Sequence, residues 1–286
     1  MNVLNIVFRL LLALVVFPII GGLIVGLDRK LTARLQGRYG PPILQPFYDV
    51  LKLFSKQRII VNEFQVISVF IYLASSVLSL VLFTFQSDLL MIIFVMSIGA
   101  VFLVVGALSV KSAYSQVGAQ RELMQMLSYE PLLILIIVGM YLMRGSFNIA
   151  VIMSQGRPLI EELPLLFLVM VIVLGIKMRK SPFDLSASEH AHQELVRGLL
   201  TDYSGLYLGL IDIAHWFDLM LLLGISTLFF YPHIVLGIIA SLFLVILEIV
   251  IDNVTARLTV KWMLTYSYGL GLVLAAINIA VVYILR

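Results

Sequence analysis

The sequence contains no cysteine and few charged residues, and both shortages limit what the chain can do. With no cysteine among 286 residues, it has no thiolate to ligate an iron–sulfur cluster and no thiol to form a disulfide. Charged residues make up 12% of the chain, whereas about 25% is usual in soluble domains. Hydrophobic residues reach 62%. A water-soluble protein is therefore excluded, and any electron transfer must take place on partner chains.

The basic residues do not form the pattern that nucleic acid requires. The formal net charge is +3, and no basic cluster alternates with aromatic side chains. Nucleic acid is therefore excluded as a partner. Apolar sequence starts near the first residue and no small-residue cleavage site follows it, so we expect the first segment to be retained as a helix.

Long apolar runs predict an all-α, polytopic membrane protein with a single transmembrane domain over residues 1–286. A spanning helix needs about 20 mostly apolar residues. Only 13 uncharged residues separate Glu130 from Arg144, and Pro232 divides the apolar stretch 219–247 into two short halves. Spanning helices here must therefore include ionisable residues. The predicted transmembrane helices, about eight, are 3–27, 64–86, 88–110, 121–144, 162–178, 206–231, 233–252 and 262–285.

The basic residues are distributed unevenly between the two sides of such a protein. Of the 19 Lys and Arg residues, 15 fall in or beside the loops that follow the first, third, fifth and seventh predicted helices. Cytoplasmic loops of membrane proteins carry an excess of Lys and Arg. We therefore predict that these long loops face the cytoplasm and that both termini lie outside.

An amphipathic helix is predicted in the first loop. Leu44, Phe47, Leu51 and Phe54 recur at helical spacing within residues 43–56, and charged residues occupy the other faces. Two interpretations are open. The helix lies at the membrane interface with its basic residues near lipid phosphates, or it forms a docking surface for a soluble partner.

Acidic residues towards the cytoplasmic ends of the predicted helices suggest an ion path. Glu122 and Glu130 share one face of a helix, as do Glu248 and Asp252, four residues apart. Ionisable residues at membrane depth are costly and are commonly functional. The alternative is structural: Glu122 is solvated, Glu130 pairs with an arginine, and Asp252 pairs with the basic residues that follow it.

The fifth loop holds two histidines, His190 and His192, beside Glu189 and Glu194. Without cysteine, a His-x-His pair in a loop is weak support for a metal site. A hydrogen-bonding scaffold or a proton relay suits histidine better, because its unperturbed pKa lies near neutrality. We therefore predict no metal site.

Motifs in all four basic loops resemble one family of membrane proteins. They are Arg34-Leu-Gln-Gly-Arg-Tyr-Gly-Pro, Leu44-Gln-Pro-Phe-Tyr-Asp, Ser128-Tyr-Glu, Ser181-Pro-Phe-Asp-Leu, Glu194-Leu-Val, Asp202-Tyr-Ser and Arg257 before Lys261-Trp262. In combination they resemble the membrane subunit shared by respiratory complex I, where it lies beside the quinone pocket, and energy-converting nickel–iron hydrogenases. In complex I the connection to Glu-Leu-Val is usually shorter and lacks histidine. The histidine-containing stretch before Glu194 resembles the hydrogenase branch.

This resemblance implies a membrane-anchoring, ion-path subunit that couples ferredoxin-linked hydrogen evolution or uptake to proton or sodium translocation. It implies the plasma membrane of a prokaryote and no redox centre on this chain. The nickel–iron centre and iron–sulfur clusters would lie on partners, namely hydrogenase large and small subunits and an iron–sulfur subunit, beside an antiporter-like membrane subunit. Two alternatives remain. One is the equivalent subunit of a quinone-reducing complex, which needs a tail cavity between the first helix and first loop, and the other is a passive anchor.

Two sets of residues follow from the pattern and the resemblance together. The ion-path candidates are Glu122, Glu130, Glu189, Glu194, Asp212, Asp218, Glu248 and Asp252. The candidates facing partner subunits are Arg34, Arg38, Asp49, Asp184, His190, His192, Arg197 and Asp202.

Overall fold

The computed structural model describes residues 3–154, 156–187 and 197–285 of the chain. Within these ranges the secondary structure is helical and contains no strand, which confirms the predicted all-α class. Seven of the described helices are long and apolar enough to cross a membrane. The chain is therefore a multi-pass membrane protein.

The described helices are numbered here along the chain. They are α1 (Val3–Leu35), α2 (Gln45–Ser55), α3 (Glu63–Thr84), α4 (Leu89–Leu108), α5 (Ala113–Arg144), α6 (Ile149–Ser154), α7 (Leu159–Glu162), α8 (Pro164–Lys177), α9 (Gly205–Leu228), α10 (Ile234–Val254) and α11 (Val260–Ile284). Short π-helical segments interrupt α1 at Leu12–Val16 and α11 at Ser267–Leu272.

Two helices extend further than the sequence predicted. The first predicted helix ended at residue 27, but α1 continues to Leu35 and places Arg34 in its last turn. The fourth was predicted to start at residue 121, but α5 starts at Ala113. Counting apolar residues finds only the part of a helix that lipid requires, whereas the backbone can continue as helix into water. The predicted end of this helix at residue 144 is confirmed, because Gly145 has a left-handed backbone with φ at +69°.

The fifth predicted helix, 162–178, is shorter than expected. α8 has 14 residues and covers about 21 Å, less than the roughly 30 Å of a hydrocarbon core. Asn278 of α11 caps its start, since the Asn278 amide accepts from the Leu166 N–H at 3.0 Å and donates to the Glu162 carbonyl at 3.1 Å. Backbone breaks are tolerated at membrane depth when protein groups satisfy them in this way.

α7 and α8 together run about the same length as α10. The Ile160 N–H donates to the Phe229 carbonyl at 2.8 Å, next to the start of α10. The Ser181 N–H donates to Asp252 Oδ1 at 2.7 Å, in the last turn of α10. The short helix pair therefore extends across the same layer as a full-length span.

By contacts, the chain divides into two compact units. Unit 1 comprises Met1–Phe85, Phe94–Leu123 and Leu185–Leu221, and unit 2 comprises Gln86–Ile93, Met124–Asp184 and Leu222–Arg286. The prediction of a single domain stays a prediction.

In unit 1 the amphipathic helix predicted within 43–56 is confirmed as α2 and packs directly on α1. The Phe47 ring lies against Gly22, and the Ile43 carbonyl lies against Gly26, where a side chain would collide with it. Phe47 also contacts the Trp216 ring, with centroids 5.0 Å apart. Glycines allow such close approach between membrane helices.

Candidate functional site

The first acidic candidate, Glu122, is buried in unit 1, with 5% of its surface exposed. The Ser186 hydroxyl donates a hydrogen bond to its carboxylate. The Leu199 N–H in turn donates to the Ser186 carbonyl at 3.3 Å. The interpretation that Glu122 is solvated is therefore wrong, because loop residues on both sides of the undescribed stretch 188–196 meet beside it.

Asp218 lies deep within α9, about 20 Å from its first residue, and is 3% exposed. Its Oδ2 accepts a hydrogen bond from the Tyr72 hydroxyl of α3 at 2.9 Å. The His215 ring stands edge-on to Tyr72, with centroids 5.7 Å apart. Asp212, one candidate further back, is half-buried. Unit 1 thus holds an acid near the middle of a span with a phenol donating to it.

The polar partner of Asp218 belongs to a row of side chains that the sequence analysis missed. One face of α3 is polar and buried along most of the helix. We name it the serine face, and its members are Gln65, Ser68, Tyr72, Ser75, Ser76 and Ser79. Their 3- and 4-residue spacing in an otherwise apolar helix is a sequence signal that could have found them.

Tyr203 joins the serine face at its loop end. The residue is 4% exposed, and its hydroxyl lies 3.5 Å from Ser68 Oγ and donates to the Leu103 carbonyl at 3.4 Å. Burial raises the pKa of Tyr203 to about 12, the Asp202 charge acts in the same direction, and the Ser68 hydrogen bond opposes them. The phenol therefore keeps its proton at neutral pH and remains a donor.

A crevice opens beside this tyrosine. It holds about 180 Å³ of empty space and is lined on its polar side by Gln65, Asp202, Tyr203 and Ser204. One carboxylate oxygen of Asp202, Oδ2, is buried without a hydrogen-bond partner in the described part of the chain. Asp202 thus lies at the mouth of a polar region that leads towards α3.

In unit 2 the central acid is Glu248 of α10, which is 3% exposed. Its carboxylate lies against Gly175 of α8, where an added methyl group would be 2.9 Å from Oε2. Lys180, itself 7% exposed, is close enough to attract this carboxylate, and Asp252 is close enough to repel it. A buried acid, a buried base and a second acid therefore share one site.

The loop groups around that site pair differently from the structural alternative. Arg257 Nε lies 3.5 Å from Asp184 Oδ1, so Arg257 pairs with Asp184. Asp252 accepts from the Ser181 N–H instead. The Leu258 N–H donates to the Pro182 carbonyl at 2.9 Å, which joins the same two loops. Asp184 is 4% exposed, so it acts within the chain here.

Glu130 lies on α5 in unit 2 and is half-buried. Its Oε1 is buried and has no hydrogen-bond partner among the described residues. The expected pairing with an arginine does not occur in that part of the chain. Next to Glu130 in sequence, the Tyr129 ring receives the Lys177 ammonium, which lies 5.4 Å from its centroid.

The remaining partner-facing candidates are mostly at the surface. Arg34, Arg38 and Arg197 are exposed, and the Arg34 guanidinium lies 4.6 Å over the Tyr39 ring. Asp49 is held within the chain by Arg29 at 2.7 Å. The four candidates Glu189, His190, His192 and Glu194 lie outside the described residues, so their roles stay predictions.

Comparisons with known proteins agree over nearly the whole chain. A family model described as NADH dehydrogenase matches residues 8–283. The chain is 26% identical to a membrane protein of Syntrophobacter fumaroxidans named as part of an NADH-quinone oxidoreductase, over 96% of this chain and 93% of that protein. It is 32% identical to Hydrogenase-4 component C of Escherichia coli, over 68% of this chain and 64% of that protein.

The fold is also shared with a solved structure. The structure of the membrane-bound sulfane sulfur reductase, an archaeal respiratory membrane complex, contains a chain that matches with a TM-score of 0.86. The match covers 97% of this chain and 99% of that one at 24% identity.

Proposed function

Because this chain belongs to the NADH dehydrogenase family, we propose that it is the membrane-anchoring, ion-path subunit of an energy-converting nickel–iron hydrogenase. Its relatives are subunits of oxidoreductase complexes, so the chain is a membrane subunit of a complex I-like or energy-converting complex. In the proposal, that complex couples ferredoxin-linked hydrogen evolution or uptake to proton or sodium movement across the plasma membrane of a prokaryote.

The burial of Glu248 beside Lys180 is the observation that carries the ion-path role. Placing ionisable groups inside a membrane helix costs several kcal/mol unless they are paired or hydrated, so such groups usually mark ion or proton paths. Here a second acid, Asp252, is close enough to repel the Glu248 carboxylate. A site that holds two carboxyls and one amine can take up and release a proton without a large change in structure.

Packing of the first loop favours the hydrogenase over a quinone-reducing complex. A quinone tail would need a cavity between α1 and the first loop. That region is occupied by direct contacts, the Phe47 ring on Gly22 and the Ile43 carbonyl on Gly26. The crevice near Tyr203 has about 180 Å³ of empty space, below the roughly 300 Å³ at which ligand pockets begin. The 32% identity to a hydrogenase component supports the same choice.

The proposed partners carry all redox centres. A chain without cysteine offers no thiolate ligand, so the nickel–iron centre and iron–sulfur clusters would sit on the hydrogenase large and small subunits and on an iron–sulfur subunit. The exposed Arg34 and Arg38 would face those subunits, and an antiporter-like membrane subunit would continue the ion path.

Purification of the intact complex in mild detergent tests this proposal. We expect nickel to co-purify with this chain, and reduced ferredoxin to drive hydrogen evolution. The quinone-reducing alternative has its own support, the 26% identity to part of a quinone oxidoreductase along 96% of the chain. A complex that lacks nickel and reduces a quinone would overturn the hydrogenase assignment and favour that alternative.

A further inference from the structure

The serine face of α3 follows the helix for most of its length. Its first and last members, Gln65 and Ser79, are 14 residues or about 21 Å apart. At 100° per residue, all six members fall within an arc of roughly 100°. Each is buried, and Ser68 and Ser79 have no exposed surface. A polar row of this length inside an apolar helix lies within protein and not against lipid.

The neighbouring helix leaves room for this row. Gly106 of α4 faces Ser68, and a methyl group there would lie 2.7 Å from the Tyr203 hydroxyl. Gly99 faces Ser75 in the same way, seven residues earlier. Because the two serines are also seven residues apart, the glycines of one helix match the serines of the other at every second turn.

The row has polar groups at a shallow end and at a deep end. At the shallow end, Gln65 lines the crevice together with Asp202 and Tyr203. Further in, the Tyr72 hydroxyl donates to Asp218 at 2.9 Å. A line of hydrogen-bonding groups thus connects an opening at the loop with a buried carboxylate.

Two members of the row have a polar atom that makes no hydrogen bond. Gln65 Nε2 and Ser76 Oγ are buried without a hydrogen-bond partner among the residues that the structure describes. Gln65 is 4% exposed and Ser76 is 1% exposed. Leaving such a group unsatisfied destabilises the fold, and ordered water is the usual partner where polar groups cluster.

We propose that the serine face of α3 binds a file of water molecules that conducts protons between the Asp202–Tyr203 crevice and Asp218. A proton enters from water at the crevice, passes along water and hydroxyl groups, and is taken up and released by the Asp218 carboxylate. No group is oxidised or reduced. This inference rests on the proposed ion-path function and adds a route in unit 1 to the Glu248 site of unit 2.

A purely structural explanation exists for the serines. Ser68, Ser75 and Ser79 donate to the carbonyl three residues earlier, at 2.7, 3.0 and 2.9 Å, as helical serines often do. In that case the row would be dry. Water access therefore separates the two explanations.

The absence of cysteine allows a direct test of water access. In the assembled complex, Ser76→Cys and Ser79→Cys are compared with Ser226→Cys. Ser226 is a matched control, because it is 1% exposed, donates to the carbonyl three residues earlier at 2.7 Å, and belongs to α9 and not to the row. A small cationic methanethiosulfonate reagent is applied, and the mass of this chain reports its modification.

A wet serine face makes Cys modification at positions 76 and 79 faster than at position 226, by about tenfold or more, since the reagent needs a hydrated thiolate. Modification of both as slow as the control would overturn the proposal. The test needs no turnover, so it reads separately from the hydrogenase assignment. As a second measurement, Tyr72→Phe should leave labelling at position 76 unchanged and lower ion uptake per electron. An unchanged ratio would overturn the link to Asp218.

Discussion

At the residue scale, the buried acids differ in what holds them. Glu248 has a buried lysine nearby and a glycine that lets its carboxylate touch the next helix. Glu130 has one buried oxygen without a partner in the described chain. Glu122 accepts a hydrogen bond from a serine, a donor that cannot exchange charge with it. Glu248 is the acid with both a nearby base and a nearby second acid, so it suits proton exchange best.

We predict that Glu248→Gln uncouples the complex without preventing assembly. Glutamine keeps the shape and hydrogen bonding of the side chain but cannot release a proton. If Glu248 is an obligatory relay, ion uptake per electron in sealed vesicles should fall on the order of a hundredfold. The exposed acid Glu161 offers a matched control, because Glu161→Gln changes the same group at the surface of the same unit.

A structural role for Glu248 would give the opposite pattern. Removing one partner of a buried charge pair costs about 3–5 kcal/mol, so assembly or thermal stability would fall while the surviving complexes coupled normally. Normal uptake per electron in Glu248→Gln would therefore refute the relay. The measurement is ion uptake and electron flux together, normalised to assembled complex.

The amino-acid sequence identifies these acids but not their partners. Counting apolar residues required Glu130 and Glu248 to enter the membrane, and both lie in helices of spanning length. It could not show that Gly175 and Lys180 surround Glu248, because those contacts join segments far apart in the chain. It also missed the serine face, because single serines barely lower the hydropathy of an apolar helix.

At the element scale, the packing of α2 on α1 depends on glycine. At Gly26 a side chain would collide with the Ile43 carbonyl, so the loop that leads into α2 is held against the backbone of α1. The hydrophobic pattern predicted α2 itself but placed Leu44 and Leu51 on its apolar face, and both are exposed. Exposed leucines on a helix beside the membrane suit contact with lipid.

We predict that Gly26→Ala displaces α2 while the chain still inserts. Overpacking of this kind costs about 1–3 kcal/mol. Hydrogen exchange measured by mass spectrometry should speed up across residues 45–55. Gly269→Ala is the matched control, because a methyl group there meets no atom within 4 Å. Equal exchange in both variants would show that α2 does not depend on this close approach.

At the scale of the whole molecule, the number of crossings decides the topology. Seven described helices have the length and composition of a span, and an odd number would put the termini on opposite sides. The pair α7 and α8 supplies the eighth crossing, because its ends bond beside both ends of α10. An even number leaves both termini on one side and agrees with the concentration of 15 of 19 basic residues in four loops.

We therefore predict that Lys56 faces the cytoplasm and that Arg144, at the end of α5, faces outside. Single variants Lys56→Cys and Arg144→Cys provide the probes, because the chain has no other cysteine. A membrane-impermeant thiol reagent applied to intact cells should label position 144 and spare position 56, and lysis should expose position 56. A third variant, Ser204→Cys, tests the eighth crossing, because position 204 precedes α9 and shares the side of position 56 only if α8 crosses. Labelling of position 56 in intact cells would reverse the orientation, and labelling of 204 together with 144 would remove the crossing by α8.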